Sequence, residues 1–146
     1  MNNLYDTYTI IKNFADDHHM INEFVYVKSE TELDNLEFNY RTLVLIPLEA
    51  NISRRLNSPV YTLDFGLIVL DKVIQEDDYS SVMSTEENIF VIGQLQDYLT
   101  QLDMDTDFDD IDFYTSTGDD YNISSASASF SVTIARSIYT KTIDKD

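Results

Sequence analysis

Tyr61-Thr62-Leu63-Asp64-Phe65-Gly66-Leu67-Ile68-Val69 is the stretch whose reading decides the fold. Its odd positions are apolar and its even positions begin polar, the two-residue period of a strand with one face buried. After Asp71-Lys72-Val73 the chain turns polar through Gln75-Glu76-Asp77-Asp78. Ser84 and Glu87 then stand at the Ser-x-x-Glu spacing of a capping box, in which hydroxyl and carboxylate each satisfy an orphan backbone N–H. This predicts a strand over 60–72, an acidic turn, and an amphipathic helix over 84–102 with Ile89, Ile92, Leu95, Leu99 and Leu102 on one face. Phe90, Val91 and Tyr98 widen that stripe beyond what one sheet covers. Phe90 and Tyr98 are therefore candidate contacts with a second surface, from this chain or a neighbour; a helix buried against a large sheet carries the same signature.

Toward the N-terminus, Leu4, Tyr8, Ile11 and Phe14 follow helical spacing and predict a helix over 3–18, capped by Asn2 or Asn3. Asp16-Asp17-His18-His19 resembles a metal site only at first glance. Adjacent helical histidines point about 100° apart and lack an i,i+4 partner. A solvated helix end, with histidines near its negative pole, is the expectation. Phe24-Val25-Tyr26-Val27-Lys28 predicts a strand over 23–28, and the acidic 29–36 a short helical turn. Leu43-Val44-Leu45-Ile46 is apolar throughout, so a strand over 42–51 should be covered on both faces. Pro47 has no N–H to donate, so that strand should bulge, end or reach an edge there. Residues 52–59 read as a loop. Its paired Arg54 and Arg55 could dock on an acidic neighbour, another copy included, or form an exposed tip.

Toward the C-terminus, Asp103, Asp105 and Asp107 match the start of a calcium loop, but Phe108 stands where the sharp turn needs glycine and Tyr114 where a bidentate glutamate belongs. That excludes an EF-hand, and the run from Asp103 to Asp112 reads as a solvated linker, with weak cation binding by its oxygen ligands as the alternative. Strands are expected over 111–116 and 127–138, with turn chemistry at Gly118-Asp119-Asp120 between them. In the second of these, Ala128 to Ile134 alternates apolar and small polar residues. The polar tail 139–146 is expected to fray or to reach a partner.

The chain has 146 residues, the size of a single domain, 1–146, around one core. The expected architecture is α+β: an antiparallel four- to five-stranded sheet packed by two main helices. A net charge of −18 argues against a broad nucleic-acid footprint and against anionic membrane surfaces. It suits solubility, basic partners, cations, or repulsion of nucleic acid. The absence of cysteine removes disulfides, thiolate nucleophiles and cysteine zinc sites. No apolar run approaches the ~20 residues of a membrane span, and the first residues lack a secretory signal pattern. Nucleophile-elbow, P-loop, dinucleotide and zinc-protease motifs are missing, and both histidines sit together. The expectation is a protein without enzymatic activity or cofactor, folded in a cytoplasm.

The succession of "RTLVLIPLEA", "YTLDFGLIVLDKV", "VMSTEENIFVIGQLQDYLTQL" and "FSVTIA" resembles small neck proteins of tailed bacteriophages, including those of the crAss-like group, which are similar in outline to tail-terminator proteins. Pro47 near the end of a strand, Asp71-Lys72 closing the next one, and Val82-Met83-Ser84 before a helix carry the likeness, which spans residues 4–138. The Gly-Trp pair common before the last strand of that family is missing. The resemblance implies a virion structural protein, assembled in the host cytoplasm: a homo-oligomeric ring that joins the portal to other neck or tail proteins and passes genomic DNA. Its channel face would hold the turn Glu76, Asp77 and Asp78 or the run Asp103, Asp105, Asp107, Asp109 and Asp110. Its subunit contacts would include Arg54, Arg55, Phe90 and Tyr98. The rival reading from another class is an acidic DNA mimic that inhibits a nucleic-acid enzyme.

Overall fold

Alternation at two periods, two for strands and 3.6 for helices, builds one sheet with two helices against it. A computed structural model describes residues 4–28, 32, 38–55, 58–73, 77–117 and 122–135. In chain order the elements are α1 (Leu4–Asp17), β1 (Glu23–Tyr26), β2 (Thr42–Arg55), β3 (Ser58–Val73), α2 (Asp78–Gln101), β4 (Thr106–Phe108), β5 (Asp112–Thr117) and β6 (Asn122–Ala135). The sheet runs β1-β2-β3-β6-β4, with β5 also paired to β6. The class is α+β as expected, but among the described residues the sheet has six strands and is mixed: β1 runs parallel to β2 and the other pairs are antiparallel.

One face of the sheet carries the core. Leu43 and Leu45 of β2, Phe65, Leu67 and Val69 of β3, and Phe130 and Val132 of β6 meet Ile11 and Ala15 of α1 and Val91, Ile92, Leu95 and Leu99 of α2. Phe65, Phe130 and Phe108 stack in series, with ring centroids 5.2 and 4.9 Å apart. On the opposite face Val27, Val44 and Ile46 form a smaller cluster with Val25, Phe38, Ile68 and Leu70. Leu43 to Ile46 is therefore covered on both sides, as its unbroken apolar run requires. A register shift falls between Pro47 and Glu49, where proline cannot donate to the ladder.

Four expectations are corrected. Most of the loop expected over 52–59 is strand: β2 continues to Arg55 and β3 begins at Ser58, and the two pair antiparallel up to Arg55 opposite Ser58, while 56 and 57 lie outside the described residues. The ladder there is made by backbone N–H and C=O groups, which every non-proline residue supplies, so the polar sequence hides it. The long helix starts at Asp78 rather than Ser84. Its N-cap is Asp77, whose carboxylate accepts from the Ser80 N–H at 2.6 Å. Ser84 lies inside it and is buried. The run 103–112 contains β4, since Met104, Thr106 and Phe108 turn inward while Asp105, Asp107 and Asp109 face solvent. β6 begins at Asn122, five residues earlier than expected, because Ser124 and Ser125 are buried in the ladder. The tail 139–146, the turn 118–120 and most of 29–36 lie outside the described residues.

α2 ends in a Schellman motif. The Asp103 N–H donates to Thr100 O at 3.1 Å and the Met104 N–H to Leu99 O at 3.2 Å. Asp103 takes φ 57°, the left-handed conformation usual for glycine at this position. Met104 and Leu99 are both buried in the core, which supplies the hydrophobic contact that accompanies the motif.

Candidate functional site

The densest buried polar arrangement surrounds Arg41, just before β2. Its Nε donates to Asn88 Oδ1 at 2.9 Å, and its Nη2 to Asp71 Oδ2 at 2.8 Å and Glu87 Oε2 at 2.6 Å. Ser84 Oγ donates to Asp71 Oδ2 at 2.7 Å and lies 2.5 Å from Ser124 Oγ, which accepts from Asn88 Nδ2 at 2.9 Å. A hydroxyl has one proton. Ser84 gives its proton to Asp71, so Ser124 must give its own to Ser84. A directed chain, Asn88 to Ser124 to Ser84 to Asp71, thus ties α2 to β6 and β3. Among the described residues no buried side-chain polar atom lacks a partner. Every polar group here is spent on another, the arrangement of a structural tie. Ser84 and Glu87, read in the sequence as a cap, are brought together for this purpose. The sign that could have shown it is Arg41 and Asp71 at the two ends of paired strands.

The candidate contact residues divide. Phe90 is exposed on α2. Tyr98 is half-buried with its ring 5.6 Å from that of Phe14, so it meets α1, a second surface within this chain. His18 joins the same seam, contrary to a purely solvated helix end. Its Nδ1 accepts from the Met20 N–H at 3.1 Å, which leaves Nε2 to donate to Gln94 Oε1 at 2.6 Å. Arg54 and Arg55 end β2 opposite Pro59 and Ser58.

The acidic candidates fall at opposite ends of α2. Asp77 caps its start, with Asp78 in its first turn; hydrogen bonding from Ser80 holds the Asp77 carboxyl below its ordinary value. Glu76 lies outside the described residues. Asp103 follows the end of the helix, about 36 Å away at 1.5 Å per residue. Asp103, Asp105, Asp107, Asp109, Asp110 and Asp112 are all exposed. They are held in place, since the Asp105 carbonyl accepts from the Thr133 N–H and the Asp109 N–H donates to Ser129 O, both at 2.9 Å. Asp109, Asp110 and Asp112 line a groove of about 620 Å³ together with Ile46, Leu48 and Ile68.

Both lateral borders of the sheet are open. Among the described residues no strand pairs the outer edge of β2 beyond Leu45, nor the outer edge of β5. Exposed apolar side chains adjoin each: Leu48 and Ile52 on β2, and Val82, Phe113 and Tyr114 beside β5. No helix among the described residues is long and apolar enough to cross a membrane. Comparison with protein-family models and with curated proteins finds no match in either.

Proposed function

We propose that this chain is a virion structural protein: one subunit of a tail-terminator-like ring in the neck of a tailed bacteriophage, joining the portal to the tail without catalytic residues. The observation that carries the reading is the anchored acidic run. Met104 and Phe108 fix it to the core while its six aspartates stay in solvent. Fixed negative charge along a channel repels phosphates, so DNA passes without adhering. The open borders at the two sides of one sheet supply different surfaces for head-to-tail contact, the kind of interface that closes into rings. Particle imaging of the native assembly is the test, with a ring between portal and tail as the expected result. A chain that stays a monomer or dimer and blocks a nucleic-acid enzyme would instead favour the DNA-mimic reading. In the virion, replacing Asp103, Asp105 and Asp107 with lysine should slow genome release; unchanged ejection kinetics would remove the channel assignment.

A further inference from the structure

An unpaired strand edge is a template for another strand, and folded proteins blunt such edges when they are not used. Among the described residues, the outer edge of β2 beyond Leu45 and that of β5 are both unpaired. On β2 the only interruption is at Pro47 and its register shift, beyond which Ala50–Arg55 runs regularly. On β5 the edge is Asp112–Thr117, also six residues. The ends differ in charge. Arg54 and Arg55 are the last two residues of β2. Asp109, Asp110 and Asp112 stand at the start of β5.

We infer that a second copy of this chain completes the sheet, β2 of one copy pairing antiparallel with β5 of the next through Ala50–Arg55 and Asp112–Thr117. The inference rests on the ring reading and specifies its contact. Antiparallel is the orientation that lays the arginine end of β2 beside the acidic start of β5. Face parity then selects the register, because paired residues share a face and a one-residue slip exchanges faces. Ile52 lies opposite Tyr61, on the helix-packed face, and Thr115 lies opposite Ser124 on that same face. Setting Ile52 across from Thr115 lays it over the groove of about 480 Å³ between α2 and β5, where Val82, Ile89 and Phe113 are waiting. The same register sets Arg55, the last residue of β2, across from Asp112, the first of β5, and Asp112 lines a groove with Asp109 and Asp110. It divides the acidic run: Asp109, Asp110 and Asp112 meet the neighbour, while Asp103, Asp105 and Asp107 stay free for the channel.

The chain has no cysteine, so introduced thiols report alone. Ile52→Cys and Thr115→Cys both replace exposed side chains. Under mild oxidation, a mixture of the two single variants should give a mixed disulfide dimer, each alone little product, and the double variant a ladder. Arg55→Asp in the Ile52→Cys chain should lower the yield about tenfold, and Asp112→Arg in its partner should restore it. Preferential Ile52→Cys homodimers would overturn the head-to-tail pairing, and preferential linkage to Tyr114→Cys would overturn the register. No linkage while native particles show the ring would overturn the edge contact and leave the connector standing; no linkage and no ring would remove both.

Discussion

A guanidinium taken out of water costs several kcal/mol unless its donors are met, and Arg41, 8% exposed in its side chain, meets them with Asp71, Glu87 and Asn88. The two carboxylates are unequal. Asp71 is 22% exposed and also accepts from Ser84, while Glu87 is 43% exposed. Arg41→Met should cost about 3–5 kcal/mol, because it leaves Asp71 charged and largely withdrawn from water. Glu87→Gln should cost less than about 1 kcal/mol, as for a solvent-screened pair. Urea midpoints at unchanged slope would check both, and equal losses would contradict this ranking. Asp103 offers a change of the opposite sign. A side chain in the left-handed region is disfavoured by roughly 1–2 kcal/mol, and glycine there escapes the penalty but loses more chain entropy on folding. Asp103→Gly should therefore stabilise by up to about 1 kcal/mol and Asp103→Val should destabilise, measured by the same unfolding curves.

At the start of α2 a single carboxylate organises the first turn, and its contribution depends on pH. The folded-state pKa of Asp77 is lowered by the hydrogen bonds from Ser80. Its stabilisation is thus fully present above the ordinary carboxylate value and is lost as pH falls through the lower folded value. Amide exchange in the first turns of α2 should speed up over that acid window. In Asp77→Asn, which caps without titrating, the acid-linked part should vanish; its persistence would assign the effect elsewhere. The same helix shows where sequence reading succeeds and fails. Its apolar stripe from Ile89 to Leu99 was legible because one periodic face packs on one sheet. Its start was not, because Tyr79, Val82 and Met83 are exposed and break the period. Ser84 and Glu87 supply a better cap signature than the true Asp77 and Ser80, yet serve Arg41 in space, which no local pattern reveals. β4 was legible in principle from the alternation of Met104, Thr106 and Phe108 with aspartates, but the charge density masked it. Of the candidate site, the exposed aspartates and the arginine pair could be read from sequence; the two open borders depend on strand order, which could not.

Over the whole molecule the charge of −18 sets a balance between repulsion spread across the surface and attraction concentrated at a few points. Salt acts differently on the two. Exposed charges are screened over about 10 Å at ~0.1 M ionic strength, while buried pairs are screened much less. Among the described residues Lys12–Asp16, at 2.8 Å with both side chains about half exposed, is a surface ion pair of the kind that contributes little. The Arg41 tie is enclosed and should persist in salt. Added NaCl should therefore remove mainly repulsion, raising the urea midpoint most below ~0.1 M and little once the screening length falls to about 3 Å near ~1 M. Choline chloride should reproduce the rise, since screening depends on ionic strength; a rise confined to one cation would point to specific binding. Replacing Asp103, Asp105 and Asp107 with lysine removes three close-set negative charges at the end of α2 and should flatten the salt response. If the midpoint instead fell with salt in the unaltered chain, net attraction among surface charges would dominate. The acidic run would then be part of what holds this fold together, and an outward field kept for a neighbouring polyanion would no longer explain it.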